Sequence, residues 1–495
     1  MNRNIKISML LALSLVALQM MASCGGGDTS APNVTDAASE PATEAVTEPQ
    51  WLDSLPSDLD FGGEAILIRT RGDSNTMNEV DIVEEDGDVL NDAIFRRNRE
   101  IEDRLNVSIA VSGGESWSDY AKEITTLRAS ISAGDNAWQI IAGWANSLPS
   151  LSLENCFWDL SDMQYLDLSQ PWWNQSAVEG MRLCDKLFFV TGDIAFSTVL
   201  GSSFVVYVND RIATELDLES VPQLVRDNRW TIDKMGELTV QAMKDLDGNS
   251  VMDENDRWGI VLNYGNNADA FYTASDIHQI IVTDGIPAFV PDVERLSALM
   301  DKLSPFYFNG ESVGCLATLD GDRQIAMFGN GQALMTMREL SCAHNDYRSM
   351  DDNYTIVPYP KMDETQEHYY SACFNSATIW GIPTDNPNPT TAAAVMEALA
   401  AESYQTITPT FFETCMQDKY ARNEDTVEML NLIRANGYID AEYLYMSAFN
   451  YSAQIVRNLV DSSKKADVAS YIAKNEKKFH SAVEKMIEKL ENLES

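Results

Sequence analysis

The chain has 495 residues, and 76 acidic side chains against 35 basic ones leave it a net charge of −41. A surface this acidic repels nucleic acid and anionic lipid headgroups, which excludes both as partners and favours a neutral, zwitterionic or cationic ligand. The length is sufficient for two substantial bodies, each with its own core.

In chain order, Arg3 and Lys6 precede an apolar run over 9–21 that is too short for a comfortable membrane span. Met21-Ala22-Ser23-Cys24 follows, with three glycines behind it. Small residues before a cysteine resemble a bacterial lipobox, although Met21 stands where Leu is usual. Residues 1–23 therefore read as a signal peptide and Cys24 as a diacylated new N-terminus. Residues 28–50 contain no Lys or Arg and are rich in Ala, Thr, Glu and Pro. Such a segment cannot bury a core, so 24–51 reads as a disordered acidic tether. The expectation is an exported protein, anchored to the membrane by lipid and working outside the cytoplasm. One acyl chain gives marginal anchoring at about 0.8 kcal/mol per CH2, and two give a stable one.

The body begins near Trp51. Strand-like runs at 65–70, 107–111 and 138–142 alternate with helical periodicity over 89–105 and 120–133. That rhythm predicts a parallel sheet with crossover helices, an α/β body. Ligands of open α/β sheets sit beyond the carboxyl ends of the strands, which puts 113–117 and 143–146 on the binding side. Further strands are expected at 188–190, 204–208, 355–358 and 377–382, and helices at 232–244, 293–303, 322–328 and 391–401. A final helix over 467–493 carries an apolar stripe through Ile472, Phe479, Val483, Met486 and Leu490. Packing on the body or a short coiled coil would satisfy that stripe.

Residues 245–256 place oxygen-bearing side chains at positions 1, 3, 5, 9 and 12 of a loop: Asp245, Asp247, Asn249, Asp253 and Asp256. Val251 falls at position 7, where an EF-hand-type loop uses a backbone carbonyl. The spacing predicts a structural Ca2+ site. Ser250 replaces the usual Gly, and Asp256 the longer Glu. Without metal the same residues would form an acidic surface loop of Asx turns.

Tryptophans stand in loops beside Gly, Asp or Asn, as in Gly143-Trp144-Ala145-Asn146 and Trp172-Trp173-Asn174. A sugar ring has an apolar C–H face that aromatic rings cover and an equator of hydroxyls that Asn, Asp and Arg bind. Large side chains are also ordinary core residues. Catalytic signatures are absent: no Gly-x-Ser-x-Gly, no His-Glu-x-x-His and no phosphate loop. The histidines, His278, His344, His368 and His480, show no metal-ligand spacing. Cys156, Cys184, Cys315, Cys342, Cys373 and Cys415 leave disulfides and buried thiols both open.

Taken in order, the lipobox, the acidic tether, Val190-Thr-Gly192-Asp193, Asp247-Gly-Asn249 followed by Asp256-Arg-Trp258-Gly259, Val357-Pro-Tyr-Pro360, Ile379-Trp-Gly-Ile-Pro383 and 419–422 resemble the solute-binding proteins of bacterial carbohydrate ABC importers, the lineage related to maltose-binding proteins. The resemblance implies two α/β lobes joined by a hinge, with residues 52–203 and 372–425 in one and 204–371 and 426–495 in the other. It implies a ligand cleft with Trp117, Trp144, Asn146, Trp173, Asn174 and Asp193 on one wall and Tyr264 and Arg338 on the other. The implied activity is binding without turnover, by a monomer that delivers a neutral sugar to ABC permease subunits. A surface glycan-binding lipoprotein and a lipid-anchored glycosidase share some of these features. The latter needs two facing carboxylates, for which no motif is present.

Overall fold

The computed structural model describes residues 51–72, 78–318, 320–373, 377–415, 424–439, 441–461 and 467–493. The signal peptide, Cys24, the tether and the 419–422 motif lie outside these residues. From Trp51 onward the chain forms one compact unit.

The alternation read from the first 90 residues of the body builds its first sheet. β1 (Glu64–Thr70) pairs in parallel with β2 (Val107–Gly113) and β3 (Ile140–Trp144). α1 (Val89–Leu105) and α2 (Tyr120–Ala133) make the crossovers. Asp88 starts α1 by accepting the Leu90 and Asn91 amides, and Asn106 ends it in the left-handed region at φ 48°. β3 is buried along its whole length, as a strand covered on both faces must be.

The chain then enters a second sheet at β4 (Phe204–Asn209). After α3 (Ile232–Ala242) come β5 (Trp258–Asn263), α4 (Asn266–Ala274), α5 (Val293–Phe308), β6 (Cys315–Thr318), α6 (Gly321–Gly329), β7 (Ala333–Glu339) and β8 (Tyr354–Pro358). The five strands lie in the order β8-β4-β7-β5-β6. β5 runs parallel to both β6 and β7, while β4 is antiparallel to β7 and β8. Gly259 is where α3 meets this sheet: a Cβ there would stand 1.9 Å from the Thr239 carbonyl oxygen. No larger residue fits that approach.

β9 (Thr378–Gly381) returns to the first sheet, antiparallel to β3, giving the order β9-β3-β1-β2. α7 (Pro389–Glu402) follows, with Pro at its first turn and every residue from Thr391 onward buried. A helix apolar all round belongs in a core. α8 (Thr408–Cys415), α9 (Glu424–Ala435), α10 (Ile455–Asp461) and α11 (Val468–Glu491) complete the chain. The α11 stripe is spent on the body, with Phe479 against Phe289 at 5.1 Å. Near the passage between sheets, Ser203 bridges Cys373, and Ser371–Ala372 pairs with Gly437–Tyr438.

One expected strand does not form, and strands form that were not expected. Residues 188–190 make only an isolated bridge, Val190 to Trp380. β5, β6 and β7 were not expected: β7 reads Ala-Leu-Met-Thr-Met-Arg-Glu, a helix-forming composition that sheet pairing overrides. Among the described residues, Cys156, Cys184, Cys315, Cys342 and Cys373 are free thiols, four of them buried.

Candidate functional site

The carboxyl ends of β1, β2 and β3 converge on an aromatic cluster. Trp144 is the last residue of β3. Trp117 opens a short turn between β2 and α2, and Tyr120 is the first residue of α2. Trp117 stacks on Tyr120 with centroids 5.2 Å apart, and meets Trp144 edge-on at 5.0 Å. The Arg71 guanidinium, just beyond β1, lies 3.8 Å over the Trp144 ring. Two of the three tryptophans expected on this wall, Trp117 and Trp144, are therefore in contact, but they differ in kind. Trp117 is 45% exposed and Trp144 only 8%. One Trp144 face is occupied by arginine, so what that residue has left to offer is its indole N–H.

Among the described residues, that N–H has no hydrogen-bond partner, nor do the buried Asn146 Oδ1 and Thr70 Oγ1. Buried polar groups are rarely left so, because each costs about 1–3 kcal/mol. A donor and two acceptors at the carboxyl edge of one sheet, beside an exposed aromatic pair, suit a ligand with an apolar face and hydroxyls. Tyr120, Arg71 and Thr70 were not singled out from the sequence. Tyr120 had a signal, the three-residue spacing from Trp117 across a helix start; the other two are placed only by the sheet.

Trp173, Asn174 and Asp193 are brought elsewhere. Trp173 is 1% exposed. Its indole donates to Glu397 Oε2 at 3.0 Å, while the Trp172 indole donates to Oε1 at 3.2 Å. Three donors, including the Asp167 amide, favour the Glu397 carboxylate, but burial outweighs them and pushes its pKa up to about 7. Asn174 caps the helix Gln175–Gly180 through the Ala177 amide. Asp193 accepts from the Thr408 hydroxyl at 2.5 Å and from Arg434 at 2.8 Å. Burial raises its pKa against the pull of Arg434. Gly192 makes this turn possible, since a Cβ there would stand 2.1 Å from the Trp172 carbonyl oxygen. Trp173 bonds α7, and Asp193 bonds α8 and α9; both are buried, while Asn174 is half-buried and its side-chain oxygen is committed to the helix cap.

On the second sheet, β5, β6 and β7 end on one edge because they are parallel. Tyr264 follows β5, with its ring 5.4 Å from Tyr307 and its hydroxyl donating to the Tyr307 carbonyl. Arg338 near the end of β7 is half-buried, and its Nε lies 3.1 Å from Glu339 Oε2.

The 245–256 loop folds largely on itself. Carboxylate oxygens of Asp245, Asp247 and Asp256 lie within 4.8 Å of one another, an arrangement that could hold a metal ion. Asp256 is fully buried and accepts the Leu246 and Asp253 amides, which hold its pKa below the usual carboxylate range. Asp253 stands outside this group and accepts the Asn255 amide. Asn249 Oδ1 accepts the Val251 amide at 2.6 Å, and the Val251 side chain is exposed. Ser250 takes φ 66°, the left-handed turn for which Gly is the low-cost residue.

No family model and no curated protein sequence matches the chain. Solved structures do. A cyclo/maltodextrin-binding protein complexed with maltotetraose is 13% identical, with 88% of this chain and 99% of that one covered and a TM-score of 0.56. An ABC substrate-binding protein from Listeria monocytogenes, in complex with cycloalternan, is 13% identical over 86% of this chain and 99% of that one, with a TM-score of 0.50. The maltose/maltodextrin-binding domain from Bdellovibrio bacteriovorus, bound to maltotriose, is also 13% identical, over 86% and 100%, with a TM-score of 0.50. The chain has a periplasmic-binding-protein-like α/β fold. At 13% identity the likeness is one of fold.

Proposed function

We propose that this chain captures a neutral carbohydrate between the carboxyl edges of its two sheets and delivers it, unaltered, to the permease of an ABC importer. The observation that carries the reading is the Trp117–Tyr120 stack beside the buried, unpartnered Trp144 indole N–H. An exposed stack fits the C–H face of a sugar, and the buried polar atoms fit its hydroxyls. The structural neighbours, whose own ligands are maltotetraose, cycloalternan and maltotriose, add support through their shared fold.

In this reading 52–203 with 372–425, and 204–371 with 426–495, are lobes that close on the ligand. The partition of strands supports it: β1, β2, β3 and β9 fall in the first set, and β4 through β8 in the second. The protein works as a monomer outside the cytoplasm, anchored by a lipid on Cys24 and set free of the membrane by its tether. Ca2+ held by Asp245, Asp247 and Asp256 stabilises the loop that enters β5, which is already tied down by the Trp258 indole bonding the Asp253 carbonyl at 2.7 Å. Calorimetry against neutral oligosaccharides, with analysis of the sugar afterwards, tests the reading. Saturable binding that returns intact sugar is the expected result. Hydrolysed sugar would make the protein an enzyme, and silence across the panel would remove carbohydrate as the ligand.

A further inference from the structure

The second wall contains a residue that sequence order hides. Arg457 lies in α10, nearly 200 residues after β5, yet its guanidinium reaches the carboxyl end of that strand. The carbon of the guanidinium lies 3.7 Å from where a Cβ on Gly265 would stand, directly after Tyr264. One terminal nitrogen, Nη2, donates to Asn266 Oδ1 at 2.8 Å and pairs with the Asp269 carboxylate. The Asp269 side chain is 0% exposed, and that of Arg457 is 29% exposed. The acid is the anchor and the arginine is the part that faces outward.

Two atoms of the pair are left over. Asp269 Oδ1, in a residue 1% exposed, and Arg457 Nε have no hydrogen-bond partner among the described residues. A buried ion pair is a weak source of stability, since desolvation offsets most of the attraction. It is a good way to hold a planar fork of N–H donors still. With Nη2 committed to Asn266 and Asp269, the rest of the guanidinium lies on the same sheet edge as Tyr264 and Arg338. Its charge is offset by Asp269, which suits hydroxyls better than a carboxylate.

We infer that Arg457, oriented by Asp269 and Asn266, is a ligand-gripping residue of the second wall that donates to the hydroxyls of a neutral sugar. The inference rests on the carbohydrate reading above, and the test separates the two. The wild type and the variants R457K, R457M/D269N and W117A are applied to an array of neutral and uronate-containing oligosaccharides. Unfolding temperatures are recorded alongside. R457K keeps a charge for Asp269 but loses the fork, and R457M/D269N removes both charges together. Both are expected to lose about tenfold or more in affinity for a neutral sugar that the wild type binds, at a temperature where each is folded. Wild-type affinity is expected to hold steady between about 50 and about 500 mM salt. Retained affinity in either folded variant, with W117A weakened, overturns the role of Arg457 and leaves the carbohydrate reading in place. Binding confined to uronates and weakened by salt overturns the neutral-hydroxyl assignment. A wild type that binds nothing on the array overturns both.

Discussion

Glu397 offers a test of the buried electrostatics that does not need the ligand. It stands in the middle of α7, 1% exposed, with two tryptophan indoles and the Asp167 amide on its oxygens. Burial raises its pKa from 4.5 to about 7 in the folded protein. A carboxyl whose folded pKa is raised takes up more protons folded than unfolded across that interval. Its contribution is therefore fully present below about pH 4.5 and is lost as pH rises to about 7. At about 1.4 kcal/mol per pH unit the loss is about 3 kcal/mol. Glu79, Glu402 and Asp269 are also pushed up to about 7 by burial, so they act in the same direction. Urea unfolding of the body should accordingly give a lower stability at pH 8 than at pH 5.5. Glu397→Gln keeps one acceptor oxygen but turns an amide N–H2 toward donors, so it should cost about 1–3 kcal/mol at pH 5.5. The deciding quantity is the slope. About 1.5 pH units of that interval lie above pH 5.5, so the variant should lose about 2 kcal/mol less than wild type between the two pH values. Equal slopes would mean that Glu397 ionises as a solvated carboxyl does, and the account of its site would fail.

Other expectations concern the site and the loop. Trp117→Ala should weaken sugar binding about ten- to a hundredfold, measured by calorimetry, with little change in unfolding temperature. Trp173→Ala should do the opposite, destabilising the fold by about 3–5 kcal/mol in urea titrations because it empties a buried site and removes one of the three donors to Glu397. Millimolar Ca2+ should raise the melting temperature, and Asp247→Ala should abolish that rise without moving sugar affinity; a melt indifferent to chelator refutes the metal. Labelled fatty acid should enter wild type in a bacterial host and not Cys24→Ala, and equal labelling of both would refute the anchor.

The first sheet was legible because its signals are local. α1 and α2 have helical periodicity, and the strands between them are short β-branched or apolar runs ending in glycine. From that alternation a parallel sheet follows, and with it the position of Trp117 and Trp144 at its carboxyl end. The acidic loop was legible for the same reason, since its spacing is contained in twelve residues. What only the tertiary structure decided is which residue of a type does what. Trp144 and Trp173 look alike in sequence, each near an asparagine. The fold buries Trp173 on the carboxylate of Glu397, more than 200 residues away, and leaves the Trp144 indole at the sheet edge without a partner among the described residues. Arg457 and Asp269 are separated in the same way and meet only because α10 packs against α4. β7 has the composition of a helix and is a strand because β4 and β5 flank it. Local periodicity fixes elements through interactions a few residues apart, whereas burial and pairing join residues across the whole chain, and no window of sequence contains them.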